Sequence, residues 1–246
     1  MAKIFIGTSG FFYPHWQDIF YPLGLKKEDF FSFYCRYFTT VEINSSFYRL
    51  PQTKIVENWF NRAPKNFVFS FKMSRTITHL KKLVFDSVGL SFLNNFFRVL
   101  KPLEKSANRH LILFQLPPFL KANPKKLNKI FSLLPKNFLY AFEFRHSSWF
   151  DKAIYKVLKK YNTAVVLSDN PGLWPKINIE TANFFYLRLH GSKELFTSSY
   201  TDNELNFYAK LMKNKFKKGL DVFCYFNNDA GGAAVVNAQK LSRLVL

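Results

Sequence analysis

Charged and amide side chains stand at the carboxyl ends of apolar segments throughout this sequence. Glu143 and Arg145 end one such segment, and Arg188 and His190 end another, each pair two residues apart. Residues two apart in a strand point to the same side, so each pair shares a face. Comparable positions on other segments carry Glu42, Asn44, Lys72, Gln115, Asp169 and Asn227. Acids, bases and amides gathered at one end of a sheet indicate a site.

The cations in this set predict recognition of an anion. Arg145 and Arg188 present guanidinium groups that bind phosphate or carboxylate through two hydrogen bonds, and Lys72 adds a third positive charge. Further candidates for binding the ligand are the amides and imidazoles at or near strand ends, namely Asn44, Gln115, Asn227, His79 and His146.

The carboxylates and the imidazole predict proton transfer. Glu143 and His190 are the first candidates for general acid and base, and Glu42 and Asp169 are the further catalytic candidates. The alternative is that the acids only neutralise the arginines and Lys72 in a structural network, because charges are rarely buried unpaired. Acids and bases on nearly every strand end favour a site over a purely structural role.

No cofactor is identifiable, and a divalent metal is not favoured. Ligand types are available in Glu42, Glu143, Asp169, His146 and His190, but they alternate with cations that would repel a metal. The sequence lacks an HxH, HExxH or clustered cysteine motif. The 7–10 segment, Gly-Thr-Ser-Gly, also lacks the third glycine of a dinucleotide-binding turn.

The elements that must position these residues alternate as strand and helix. The predicted strands are 3–8, 40–44, 67–72, 111–116, 139–144, 164–168, 184–189 and 221–226. The predicted helices are 28–37, one starting near Pro51, 90–103, one opening at 123–124, 151–161, one starting at Thr201, and 232 to the terminus. Eight strands, each followed by a crossover that is helical except for an irregular one after the sixth strand, predict a single α/β domain over 1–246. The predicted fold is a (β/α)8 barrel of the TIM type, with a doubly wound open sheet as the alternative.

The amino-acid composition limits the class of protein, its location and its partners. The 246 residues are 48% hydrophobic, which is typical of a folded globular chain, and they include no apolar run long enough to span a membrane. Two cysteines and the lack of a signal-peptide pattern predict a cytoplasmic protein, and nothing indicates an obligate protein partner. The net charge of +20 favours anionic partners, but lysines on solvated helix faces, or a coding bias, explain it equally well.

The sequence resembles the YecE-like family, also called domain of unknown function 72, along almost its whole length. The matching segments include Gly7–Gly10 with Trp16, Thr40–Arg49, Gln115–Pro118, Glu143–Trp149, Tyr186–Gly191 and Tyr225–Asn228. At Phe11-Phe12 the chain keeps an aromatic residue where the family usually has tryptophan after its glycine. The resemblance implies a TIM-type barrel, a fold similar to that of endonuclease-IV-type and sugar-isomerase-type enzymes, and it supplies no reaction.

Three functions follow, in order of preference. The first is an enzyme, of hydrolase or isomerase type, that binds a phosphorylated or otherwise anionic small molecule at the carboxyl-terminal mouth of the barrel. The second is a protein that binds or processes nucleic acid, endonuclease-like by analogy of fold only. The third is a non-catalytic binding scaffold whose own loops seal the mouth.

Overall fold

The computed structural model describes residues 2–245. Eight strands lie parallel in one sheet, in the order β1-β8-β7-β6-β5-β4-β3-β2. Their bounds are β1 Ile4–Thr8, β2 Thr40–Ile43, β3 Val68–Lys72, β4 Leu111–Gln115, β5 Leu139–Glu143, β6 Ala164–Asp169, β7 Phe184–Leu189 and β8 Asp221–Phe226. The sheet curls into a nearly closed barrel, which confirms the (β/α)8 prediction.

Helices surround the barrel and connect successive strands, except that an irregular segment connects β6 to β7. They are α1 Phe30–Tyr34, α2 Ser45–Tyr48, α3 Thr53–Arg62, α4 Ser87–Val99, α5 Pro124–Phe131, α6 Lys152–Lys160, α7 Asp202–Lys217 and α8 Ala233–Val245. The predicted caps at Asn123 and Thr201 form, each side chain accepting a hydrogen bond from a backbone N–H of the first turn. Pro51, predicted to open a helix, instead precedes Gln52, which caps α3. Every helix in the described range is too short or too polar to cross a membrane.

Both faces of the strands are buried, as their apolar composition requires. Alternate side chains fill the barrel interior, among them Val68, Leu113, Ala141, Val166 and Phe223, while the intervening side chains pack beneath the helices. The lower and middle interior is therefore solid apolar core. Polar side chains become frequent toward the carboxyl ends of the strands, and this change of composition sets the position of the candidate site.

The barrel closes between β1 and β2, where the Tyr34 side chain bridges the two strands. Ser9 and Glu42 form an isolated parallel bridge there. Below it, the Tyr34 hydroxyl accepts a hydrogen bond from the Thr8 backbone N–H and donates one to the Thr40 carbonyl, each at 3.0 Å. The strands approach so closely that a Cβ on Gly7 would lie 2.3 Å from that carbonyl oxygen. Gly7 therefore serves strand packing at the seam.

Candidate functional site

A buried ionic network crosses the upper interior of the barrel. The Arg188 guanidinium, on β7, donates from Nη2 to Glu42 Oε1 at 2.7 Å and from Nε to Glu42 Oε2 at 3.0 Å. Its Nη1 donates to Glu143 Oε2 at 2.5 Å. All three side chains have no exposed surface. One guanidinium thus pairs with carboxylates on β2 and β5, so the structure brings these three residues together.

Neutral hydroxyls complete the surroundings of Glu42. Ser9 Oγ donates to Oε1 and Tyr186 Oη donates to Oε2, each at 2.6 Å. The Tyr186 hydroxyl also lies 2.7 Å from Ser70 Oγ. Sequence analysis missed these three residues, although alternation along β7 and β3 places Tyr186 on the face of Arg188 and Ser70 on the face of Lys72. Glu42 is a fully satisfied buried carboxylate, as burial of a charge requires.

Glu143 stands between three basic groups. Besides Arg188, Arg145 Nε donates to its Oε1 at 2.9 Å, and His190 Nε2 lies 3.5 Å from its Oε2. Burial opposes ionisation of this carboxyl, but the adjacent charges of Arg188 and Arg145 outweigh burial and hold its pKa well below the usual range. Glu143 is therefore a carboxylate at neutral pH.

His190 is a neutral imidazole at the same pH. Burial, with the charge of Arg188 acting in the same direction, lowers its pKa to about 4. The side-chain nitrogen of Asn227 lies 2.9 Å from Nδ1, and Arg188 Nη1 lies 3.3 Å from Nε2. The edges of Trp174 and Phe196 lie against the imidazole, with ring centroids 5.6 and 5.7 Å away, so loops cover it.

Loop residues fix the position of Arg145 above this network. The Trp174 indole N–H donates to Ser168 Oγ at 2.9 Å, which holds the ring over the mouth. The Arg145 guanidinium carbon lies 3.9 Å from the centre of that ring, a cation–π contact. Of the three guanidinium nitrogens of Arg145, only Nε has a hydrogen-bond partner within residues 2–245, so both terminal nitrogens are free to donate.

Phe196 has a left-handed backbone with φ of 68°, an uncommon conformation for an aromatic residue and one often found at functional sites.

Lys72 enters the mouth from the end of β3. Its Nζ lies 4.2 Å from the centre of the Phe47 ring. Burial, followed by the repulsion of Arg188, lowers the pKa of this amine to about 7, despite the opposing attraction of Glu143 and Glu42. Lys72 is therefore the group in the cluster whose protonation changes near neutral pH.

Polar side chains of the predicted set lie beside these cations. The Asn44 amide donates to Asn227 Oδ1 at 3.3 Å, and Asn44 Oδ1 is buried with no hydrogen-bond partner in the described structure. Gln115 is buried next to Glu143 in the β4–β5 register. His79 lies edge-on to Phe47 at 5.0 Å, and burial, with the charge of Lys72 second, lowers its pKa to about 4. An unpaired buried acceptor at the mouth is suited to a ligand donor.

Two residues of the predicted set lie apart from the cluster. Asp169 points from β6 toward the helices, where Lys176 Nζ and Tyr200 Oη donate to it at 2.5 and 2.8 Å. His146 caps the turn Ser147–Trp149, its Nδ1 accepting from the Ser148 N–H at 3.1 Å. Both follow the strand alternation that places Leu167 and Phe144 in the outer core.

The chemistry that the cluster supports is anion binding and proton exchange. Arg145 and Lys72 carry the available donors, while Glu42 and Glu143 balance the charges of Arg188 and Arg145. Among residues 2–245, no three His, Cys, Asp or Glu side chains form a group suited to holding a metal ion. The guanidinium of Arg188 occupies the position between the two glutamates.

Sequence comparison finds relatives of this chain in two bacterial species. The chain is 26% identical to the UPF0759 protein YunF of Bacillus subtilis over 275 residues, covering 98% of this chain and 94% of YunF. It is 29% identical to the UPF0759 protein YecE of Escherichia coli K12 over 153 residues, covering 61% of this chain and 51% of YecE.

Solved structures agree. A DUF72 family protein of Thermotoga maritima superposes with a TM-score of 0.88 at 27% identity, covering 99% of both chains. A D-psicose 3-epimerase superposes with a TM-score of 0.55 at 10% identity, covering 99% of this chain and 96% of that one, which shows a shared fold alone. The family described as protein of unknown function DUF72 matches residues 5–246, and the chain belongs to it.

Proposed function

We propose that this protein is an enzyme, of hydrolase or isomerase type, that binds a small phosphorylated or carboxylated molecule at the carboxyl-terminal mouth of its barrel. The observation that carries the proposal is the position of Arg145. Its guanidinium is held between Glu143 and the Trp174 ring, and its terminal nitrogens remain free to donate. A fixed guanidinium with free donors is suited to forming two hydrogen bonds with phosphate or carboxylate.

The charges of the cluster support binding of one anionic group. Glu42 and Glu143 balance Arg188 and Arg145, and Lys72 then decides the net charge. An anion beside Lys72 stabilises the protonated amine, so binding above pH 7 draws a proton onto it. The site therefore couples ligand binding to proton uptake.

Proton transfer to or from the ligand falls first to Lys72. His190 and Glu143 are completely buried, whereas Lys72 lies at the mouth with a pKa of about 7, close to the working pH of a general acid or base. His190 stays a second candidate that a ligand reaches only if the loops bearing Trp174 and Phe196 move. Asp169 lies outside this arrangement.

The distribution of lysines supports a small anion over nucleic acid. Many lysines lie on the outer helices, away from the mouth, as on α5 and α6 (Lys125, Lys126, Lys129, Lys152, Lys156, Lys159 and Lys160). Charge spread over helix faces is typical of a solvated surface. A cytoplasmic location belongs to the same proposal, since Cys35 and Cys224 are both free thiols.

The test is ligand-induced thermal stabilisation. The test compares the wild type, Arg145→Gln and a matched control, Arg98→Gln, which replaces an exposed arginine of α4. Thermal unfolding of each protein is measured with inorganic phosphate, oxalate or ribose 5-phosphate, and with chloride at equal ionic strength. We expect at least one anion to raise the Tm of wild type and of Arg98→Gln, and the shift to be lost in Arg145→Gln. Equal shifts in all three proteins would refute binding at the mouth.

A parallel titration with a short labelled oligonucleotide covers the nucleic-acid alternative. Binding that weakens steeply with salt and is lost in Arg145→Gln would indicate that nucleic acid binds at the mouth. That result would replace the small-anion proposal. Equal binding by Arg145→Gln and Arg98→Gln would indicate that the oligonucleotide binds only to the lysine-rich outer surface.

A further inference from the structure

Lys72, which is half-buried, differs from the buried Lys215 in having no carboxylate partner. Lys215 is a buried residue of α7, and its Nζ donates to Glu180 at 2.8 Å and to Asn178 at 2.7 Å. Within the described range, no Asp or Glu oxygen lies within salt-bridge distance of Lys72 Nζ, and no hydrogen-bond acceptor contacts it. An amine that is shielded from much of the solvent and has no acceptor is costly to keep protonated.

The groups that face this amine disfavour its charge overall. Burial, and after it the positive charges of Arg188 and Arg145, oppose protonation, whereas the face of the Phe47 ring favours the ammonium form. Glu143 and Glu42 favour protonation, but both are already bonded to Arg188. The pKa of about 7 leaves a large fraction of the amine neutral under physiological conditions, and only the neutral amine has a lone pair for attack on carbon.

We propose that Lys72 forms an imine with the carbonyl carbon of an anionic aldehyde or ketone whose phosphate or carboxylate is held by Arg145. The inference rests on the proposed function, and it names the substrate class as an anionic carbonyl compound. The two groups suit the two ends of such a molecule, since Arg145 bonds to Glu143 through Nε alone, and the Lys72 amine, which has no acceptor of its own, lies at the end of β3 against the Phe47 ring.

The chemistry balances with water as the only by-product. The Nζ lone pair forms a bond to the carbonyl carbon, while the carbonyl π electrons move to oxygen, which takes a proton. The nitrogen loses a proton to water, and the hydroxyl of the resulting carbinolamine takes a second proton from water at the mouth. The hydroxyl then leaves as water while the nitrogen lone pair forms the C=N bond of the protonated imine. The protonated imine then withdraws electrons from the adjacent carbon, which is the activation that an isomerase or a carbon–carbon lyase requires.

Reductive trapping tests the proposal on the wild-type protein. Glyoxylate is added at pH 7 with sodium cyanoborohydride, which delivers hydride to the imine carbon and converts it to a stable secondary amine. Proteolysis and mass spectrometry then measure carboxymethylation at each lysine. We expect Lys72 to be modified at least tenfold faster than two internal controls, buried Lys215 and exposed Lys121. Modification spread evenly over surface lysines, or an unmodified Lys72, overturns the inference.

Two further arms separate this inference from the proposed function. Formaldehyde, a neutral aldehyde, replaces glyoxylate in one arm, and Arg145→Gln replaces wild type in the other. We expect Arg145→Gln to slow labelling of Lys72 by glyoxylate at least tenfold relative to labelling by formaldehyde. Fast labelling of Lys72 by both aldehydes, unchanged in Arg145→Gln, would keep the reactive lysine and refute anion binding by Arg145. Anion-induced stabilisation without labelling of Lys72 would keep the proposed function and refute the imine.

Discussion

Arg188 joins Glu42 to Glu143 across the barrel, with nitrogen–oxygen distances of 2.7 and 2.5 Å. The three side chains come from β7, β2 and β5, which are not neighbours in the sheet. The guanidinium therefore ties together strands that share no backbone hydrogen bonds. Because all three groups are fully buried, each depends on the others for the compensation of its charge.

Replacing Arg188 by methionine will strongly destabilise the fold. The substitution preserves much of the side-chain volume but leaves two carboxylates without their cation, and removal of one partner from a buried ion pair costs about 3–5 kcal/mol. Urea denaturation followed by circular dichroism measures the free energy of unfolding. Failure of the variant to accumulate as folded protein agrees with this expectation.

The exposed arginine of α4 provides the matched control. Arg98→Met is expected to change the free energy of unfolding by less than about 0.5 kcal/mol, as surface substitutions usually do. If Arg188→Met were as stable as this control, the network would contribute nothing to the fold, and its acids would be freer for catalysis than their burial indicates.

Tyr34→Phe will weaken the seam between β1 and β2. The substitution removes the hydroxyl that pairs with the Thr8 N–H and the Thr40 carbonyl, and it leaves the ring in place. A buried backbone group without its partner costs about 1–3 kcal/mol, so we expect a loss of that size in urea denaturation. Tyr37→Phe, at a tyrosine that is 53% exposed, is the control and should be close to neutral. Equal stability of the two variants would show that the seam does not depend on this hydroxyl.

Strand alternation explains how much of the site was predictable from sequence. Residues two apart share a face, so Glu143 with Arg145 and Arg188 with His190 were correctly grouped. Alternation also places His146 on the opposite face from Glu143, and the structure shows it capping a turn. The prediction includes Asp169 because it ends a strand, but Asp169 lies on the outer face of β6, together with Leu167.

Loop contacts could not be predicted in this way. Trp174 reaches Arg145 and His190 from the irregular connection after β6, and Phe196 reaches His190 from the loop after β7. No periodicity relates a loop residue to a strand face, so the cover over His190 appears only in three dimensions. The consequence is large, because it changes His190 from an accessible base to a buried one.

Asp169→Asn will lower stability without altering anion binding. Asp169 accepts from Lys176 and Tyr200 on the outer side of β6, so the substitution weakens a charge-assisted contact there at a cost of about 1–3 kcal/mol. The anion-induced rise in Tm is measured against the variant's own baseline, and we expect it to match wild type, in contrast to Arg145→Gln. Loss of that rise in Asp169→Asn would return Asp169 to the site.

Lys72→Met will be more stable than wild type in mild acid, and its advantage will shrink as the pH rises. The pKa of Lys72 is about 7 in the folded protein, against an ordinary value of 10.5. Between these values the unfolded chain holds a proton on Lys72 that the folded chain lacks, so wild-type stability rises with pH through this window. Below about pH 7 both states hold the proton, and the folded state then bears the full cost of the buried charge.

Urea denaturation at pH 6, 7, 8 and 9 gives the free-energy difference between wild type and Lys72→Met at each pH. The slope of that difference carries the information, because the packing change from lysine to methionine contributes a constant that does not depend on pH. The same measurement on Lys121→Met, at an exposed loop lysine, should give a flat difference. A flat difference for Lys72→Met as well would show that Lys72 is protonated alike in both states. It would also leave the amine without the neutral form that attack on a carbonyl requires.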